Sequence, residues 1–196
     1  MRPKLLDRVE AHGFRVFEKG VFNLNIIGVR TKGEPNVFDD RICLVYKDKH
    51  GWVTREWPAT CDPGTYHLEN PGKVQGTAVM ASPQQCRGVY KIDLHGGRYE
   101  ALCQRLGKVK VWRDADRSDS VDWDQFDDAV SGWYGINVHR AGADSIQVDK
   151  WSAGCQVFQR AGDFDAFMEL VKASADLYGN KFTYTLIDEE TRHEQT

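Results

Sequence analysis

A cysteine sixteen positions after a histidine, Cys155 after His139, lies in the part of this chain best suited to covalent chemistry. The pair is framed by Gly135-Ile136-Asn137-Val138-His139-Arg140, a polar loop, and Lys150-Trp151-Ser152-Ala153-Gly154-Cys155-Gln156-Val157-Phe158. A thiol is a useful nucleophile only with a base in hydrogen-bond reach, and an imidazole is the usual agent. Ile136 and Val138 alternate along a strand predicted to end at His139. Ser152-Ala153-Gly154 predicts a tight turn of small residues, which lets a ligand approach the backbone. Two adjacent strand ends would then bring sulfur and ring together. In this reading Cys155 is the nucleophile and His139 its base. The N–H groups of Gly154 and Cys155, with Ala153, would hold an oxyanion. A neighbouring imidazolium should keep the thiol below its ordinary pKa of about 8.5. The plainer alternative is a buried structural cysteine beside an incidental histidine.

Other constellations are weaker. Asp114, Asp116, Asp119, Asp122, Asp124, Asp127 and Asp128 begin like a calcium loop, but Asp119 stands where glycine is needed and Gln125 where glutamate is needed. A solvated loop is the expectation. His95, in Lys91-Ile92-Asp93-Leu94-His95-Gly96-Gly97, ends a strand before a glycine turn and could line the cleft or be an ordinary turn residue. No spacing resembles a catalytic zinc site, so no metal and no cofactor are expected. Cys43, Cys61, Cys86 and Cys103 complete an odd set of five cysteines without a CxxC pair, which argues for free thiols rather than a disulfide scaffold.

With 196 residues, 41% of them hydrophobic, the chain can bury a full core as one domain. A net charge of −3 without a basic stripe argues against nucleic acid. No segment is apolar and long enough for membrane insertion, and the first residues lack an apolar signal core. The expectation is a product made in the cytoplasm. The elements that must position the candidate site are mostly strands: 23–29, 42–46, 52–57 ended by Pro58, 89–94, 108–112 and 182–187. Lys47-Asp48-Lys49-His50-Gly51 predicts a hairpin turn, and residues 58–88 read as turns and loops between short strands. Leu5, Leu6 and Val9 predict a short N-terminal helix, and Phe164, Phe167, Met168, Leu170, Val171, Ala175 and Leu177 predict a longer one ended by Gly179. The fold class expected is mostly β, a β-rich α+β domain with a helix near each end.

His139 followed by Ser152-Ala153-Gly154-Cys155 resembles the signature of the L,D-transpeptidase (YkuD) catalytic domain, a histidine and then, after a mid-teens gap, Ser/Thr-x-Gly-Cys. Asp62-Pro63-Gly64-Thr65-Tyr66 looks like the family's P-x-G-x-Y strand entry. Asn23-Leu24-Asn25-Ile26-Ile27-Gly28 and Arg87-Gly88-Val89-Tyr90-Lys91-Ile92 look more like a bacteriophage and prophage branch, and the likeness runs over roughly residues 20–187. The resemblance implies an L,D-transpeptidase-like β-sandwich or barrel as a single catalytic domain over 1–196, with 1–20 a helical extension and the core about 21–188. It implies a peptidoglycan-degrading cysteine peptidase, endolysin-like, that cuts an amide of the stem peptide or cross-link through a thioester. Its partner would be bacterial peptidoglycan, reached from the host cytoplasm after release at lysis. L,D-transpeptidase or L,D-carboxypeptidase activity is the alternative, and a non-catalytic wall-binding or virion module is an alternative of another class. Cys155 and His139 carry over as nucleophile and base, Ser152 as a site-shaping residue and Gly154 as part of the oxyanion turn. Ala153 stands where the family often has a second histidine, Arg140 where it usually has glycine, and Gln156-Val157 also departs from it. Arg140, Ala153, Gln156 and His95 are the expected substrate-facing residues, Arg140 by gripping a stem-peptide carboxylate.

Overall fold

Ile42, Leu44 and Tyr46 alternate with Cys43 and Val45, so a strand here carries apolar side chains on both faces and needs cover on both. The computed structural model, which describes residues 1–124, 126 and 128–189, supplies that cover. Strands β1 (Asn25–Arg30), β2 (Asp40–Asp48) and β3 (Gly51–Thr60) form an antiparallel meander. Ile26, Ile42, Leu44 and Tyr46 point to the main core, whereas Ile27, Val29, Cys43 and Val45 point outward under helix α1 (Lys4–Ala11). Leu6 and Val9 of α1 are buried there, each worth roughly 1.5–3 kcal/mol of transfer free energy. The predicted hairpin turn is tighter than expected: Asp48 pairs with Gly51, and the Asp48 carboxylate accepts the His50 N–H at 2.7 Å.

Pro58 does not end its strand. It pairs with Arg41 inside β3, and its carbonyl accepts the Gln159 N–H at 3.0 Å, so only the missing donor distinguishes it from its neighbours. The 58–88 stretch is more ordered than a string of turns. It holds a short helix α2 (Thr65–Glu69), strand β4 (Thr77–Met80) and the start of β5 (Gln84–His95). Then follow β6 (Tyr99–Gln104), β7 (Val109–Asp114), β8 (Val130–Gly132), β9 (Val138–Arg140), β10 (Gln156–Phe158), α3 (Ala161–Tyr178) and β11 (Phe182–Asp188).

The described residues are mostly β, 38% strand against 18% helix. Eight strands close a barrel in the order β1-β11-β5-β6-β9-β10-β3-β2, parallel at β1/β11 and β9/β10 and antiparallel elsewhere. Its seam at β6/β9 rests on the single pair Leu102–Val138. Strands β4, β7 and β8 make a separate sheet whose Met80 and Val111 join the main core. Helix α3 inserts Phe164, Phe167, Met168 and Val171 against Phe158 and Trp57. It stops at Gly179, whose φ of +86° suits glycine. The aspartate-rich segment after β7 is a run of turns and bends through Asp124, while Gln125 and Asp127 lie outside the described residues.

Arg30 ends β1 fully buried. Its guanidinium donates to the carbonyls of Met80 (2.8 Å) and Cys61 (2.9 Å) and to the Ser82 hydroxyl (3.2 Å), and Nε faces the Asp62 carboxylate at 2.8 Å. One side chain thereby ties the barrel to the ends of β3 and β4.

Candidate active site

Cys155 directly precedes β10, and His139 is the middle residue of β9 rather than its end. The strands run parallel with Gln156 opposite Val138 and Val157 opposite His139. Val138 faces the core, so the alternation turns Asn137, His139 and, on the next strand, Cys155 to the outer face of the wall. Thiol and imidazole are thus diagonal neighbours on adjacent strands.

The turn before Cys155 is held by its own small residues. The buried Ser152 hydroxyl donates to the Cys155 carbonyl at 2.8 Å and accepts the Gly154 N–H at 3.2 Å. Gly154 has φ +110°, and a Cβ there would lie 2.1 Å from the Ala78 carbonyl of β4. Gly64, at the start of α2, donates its N–H to the Ser152 carbonyl at 2.9 Å, and a Cβ there would lie 2.1 Å from the Asp149 carbonyl. Both positions therefore require glycine. The Gly154 N–H is committed to Ser152, which corrects its expected role as an oxyanion donor. The Cys155 N–H has no acceptor among the described residues and stays available.

The sulfur accepts the Asn137 N–H at 3.4 Å and directs its proton to the Gly135 carbonyl at 3.6 Å. Among the described residues no hydrogen bond joins it to His139. Burial pushes the thiol up to about 11, and the Asn137 amide offsets that only in part. Burial first, and then the repulsion it would meet from a charged His95, push His139 down to about 3. The expected thiolate–imidazolium pair is therefore corrected to a neutral thiol beside a neutral imidazole. Neither charge is solvated well enough to form at rest.

Only 4% of His139 is exposed. Its Nδ1 lies 3.0 Å from the Arg140 carbonyl and 3.4 Å from the Tyr99 hydroxyl. A carbonyl can only accept, so Nδ1 carries the proton and Nε2 keeps the lone pair. His95, paired with Tyr99 across the β5–β6 hairpin, lies flat on this ring with centroids 4.0 Å apart and planes 18° apart. Asn137 connects the group. Its Nδ2 faces His95 Nδ1 at 3.0 Å, and its Oδ1 accepts the Gln104 N–H at 2.9 Å. Gln104 Oε1 in turn accepts the N–H groups of Tyr134 (3.2 Å), Gly135 (2.9 Å) and Ile136 (3.1 Å), and its Nε2 donates to the carbonyls of Gly107 and Gly132. That buried amide shapes the approach to β9.

The fold thus brings Cys155, Ser152, Gly154, His139 and His95 into one neighbourhood, with Ala153 exposed at its edge. Gln156 is not at the surface. It is fully buried, donates to the Cys61 and Gly154 carbonyls and accepts the Tyr184 hydroxyl at 2.8 Å, so its expected substrate contact is corrected to a bond inside the barrel. Arg140 lays its guanidinium over the Tyr99 ring at 4.7 Å and forms no ion pair among the described residues. It borders a groove of about 320 Å³ shared with Phe164 and Met168 of α3. Sequence reasoning missed Tyr99, Gln104 and Asn137. The visible signal was Asn137, a polar residue between apolar Ile136 and Val138. No set of three or more His, Cys, Asp or Glu side chains among the described residues gathers where it could hold a metal.

Compared with family models, curated proteins and solved structures, the chain matches none.

Proposed function

We propose that this chain is a cysteine peptidase of the bacterial cell wall, its barrel an L,D-transpeptidase-type catalytic domain acting on peptidoglycan stem peptides. The observation that carries the reading is the placement of His139 and Cys155 on adjacent parallel strands, with His139 Nδ1 3.0 Å from the Arg140 carbonyl. That contact assigns the ring proton to Nδ1 and leaves Nε2 as the base. The resemblance of His139 and Ser152-Ala153-Gly154-Cys155 to that family supplies the substrate class.

On substrate binding the thiol leaves the Gly135 carbonyl, and its proton passes to Nε2 as sulfur attacks the amide carbon. The developing oxyanion takes the Cys155 N–H. The imidazolium then protonates the departing amine, leaving a thioester on Sγ. Water, deprotonated by the same Nε2, releases the acid and restores the thiol. An amine acceptor in place of water would give transpeptidation. Action on the wall after host lysis belongs to the same proposal.

A second reading has one observation in its favour: the thiol rests on Gly135 with a raised pKa, as in a wall-binding module with an idle site. Mass spectrometry of muropeptides from purified sacculi tests the proposal. Wild-type protein should release cut stems or cross-links, and Cys155→Ala should release none. Binding of sacculi with no new muropeptide from wild type would establish the idle-site reading instead.

A further inference from the structure

We infer that His95 is a positioning residue for His139: pinned by Asn137 and stacked flat on the catalytic imidazole, it holds that ring in the orientation and tautomer that leave Nε2 free. This rests on the assignment of His139 as the base.

Each link is set by the one before. The Gln104 N–H fixes Asn137 Oδ1, so Nδ2 must be the end that meets His95. An amide NH₂ only donates, so His95 Nδ1 is an acceptor and its proton lies on Nε2. His95 is then neutral, and two neutral rings 4.0 Å apart stack without repulsion. Protonating His95 would turn Nδ1 into a donor aimed at a donor. Asn137 could answer only by rotating its amide and surrendering the Gln104 bond. The charged neighbours act in the same direction. Burial, then Arg105 after β6 and Arg98 in the hairpin turn, all disfavour a charge on His95. The titratable groups facing the ring are Tyr99 of β6 at 5.6 Å between centroids and His139 of β9, and no carboxylate pairs with it among the described residues. The device keeps a cation off the face of the base, where it would oppose proton uptake from Cys155.

Asn137 is therefore bifunctional. Its backbone N–H holds the sulfur and its side chain holds the imidazole stack, so one residue couples the two reacting groups. A His95 with no hold on the neighbouring ring would leave the His139 tautomer and pKa unmoved when its own ring is removed.

The test is nitrogen-detected NMR of imidazole-labelled protein, with the pH profile of peptidoglycan turnover beside it. In wild type, His139 should show a protonated Nδ1, an unprotonated Nε2 and no titration above pH 5. His95→Phe, which keeps a flat ring, should preserve the tautomer. His95→Ala should mix the tautomers, raise the His139 pKa by about one unit or more, and move the acidic limb of kcat by the same amount. His95→Ala protein that folds with His139 tautomer and pKa unchanged would overturn the inference. If the NMR changes occur without wild-type turnover, the positioning stands and the peptidase reading falls. If turnover occurs and His95→Ala leaves tautomer and profile untouched, the reverse holds.

Discussion

At Cys155 two opposed demands meet. A nucleophile needs the thiolate, yet burial favours the thiol and pushes it up to about 11. A neutral resting thiol is chemically quiet, and in the proposed mechanism its proton is removed only when a substrate carbonyl is in place to accept the sulfur. Alkylation by iodoacetamide should therefore rise about tenfold per pH unit through pH 9 without a plateau near neutrality. Tryptic mapping should find Cys155 labelled first, because Cys43 and Cys86 are pushed up to about 12 and Cys61 is fully buried. A plateau below pH 8 would show a stable thiolate and contradict the neutral pair. His139 gives a second test. It titrates near 3 when folded against about 6.5 in an unfolded chain, so on acidification the unfolded chain takes up the proton first. The stability tied to its neutral ring is complete above 6.5 and is lost as pH falls toward 3. Urea unfolding of wild type and His139→Gln between pH 6 and 4 should show wild type losing about 1.4 kcal/mol per pH unit relative to the variant. A constant difference would refute the buried neutral state. The types and spacing of His139 and Cys155 were legible in the sequence because chemistry restricts them. Their protonation was not, because it depends on burial and on His95, which arrives from another hairpin.

The elements around the site depend on polar residues that periodicity treats as noise. Apolar alternation located the cores of β1, β2 and β11. It reached β9 through Ile136 and Val138 but missed β4, β6 and β8; β4 and β8 have four and three residues and pair with β7, distant from β4 in sequence. Helix α2 was also hidden, since Thr65–Glu69 is a single short turn tied back to the Ser152 loop through Gly64. Gln104 shows the cost of such partners most clearly. Removing its amide would strand three N–H groups and two carbonyls beside β9. Each buried group left without a partner costs about 1–3 kcal/mol, and water entry recovers part of the sum. Gln104→Leu should therefore lower unfolding free energy by about 3 kcal/mol in urea titration, with turnover falling further than stability because the Asn137 anchor moves. A loss under about 1 kcal/mol with normal turnover would mean that the loop holds itself.

Across the whole molecule the barrel and the small sheet are joined by a charge rather than by apolar contact alone. Arg30 is wholly buried, and its partners come from two segments distant in sequence, Cys61–Asp62 after β3 and Met80–Ser82 at the end of β4. Nothing in its sequence setting, Gly28-Val29-Arg30-Thr31, separates it from a solvated strand-end arginine, since its burial is decided by where β3 and β4 end. Arg30→Met should cost about 3 kcal/mol, because it leaves the half-buried Asp62 carboxylate without its counter-charge and strands the Met80 and Cys61 carbonyls. Adding Asp62→Leu should restore part of that loss in urea titration. An Arg30→Met protein as stable as wild type would show that the two layers do not need the pair.

In the proposed mechanism Cys155 carries an acyl group during turnover. The direct measurement is intact-protein mass spectrometry of acid-quenched reactions with purified stem peptides, followed by peptide mapping. The expected result is an added mass equal to the acyl part of the stem, located on the peptide containing Cys155, removed by hydroxylamine and absent from Cys155→Ala. Turnover of the same peptides by Cys155→Ala, or wild-type turnover with the adduct on any other residue, would contradict it.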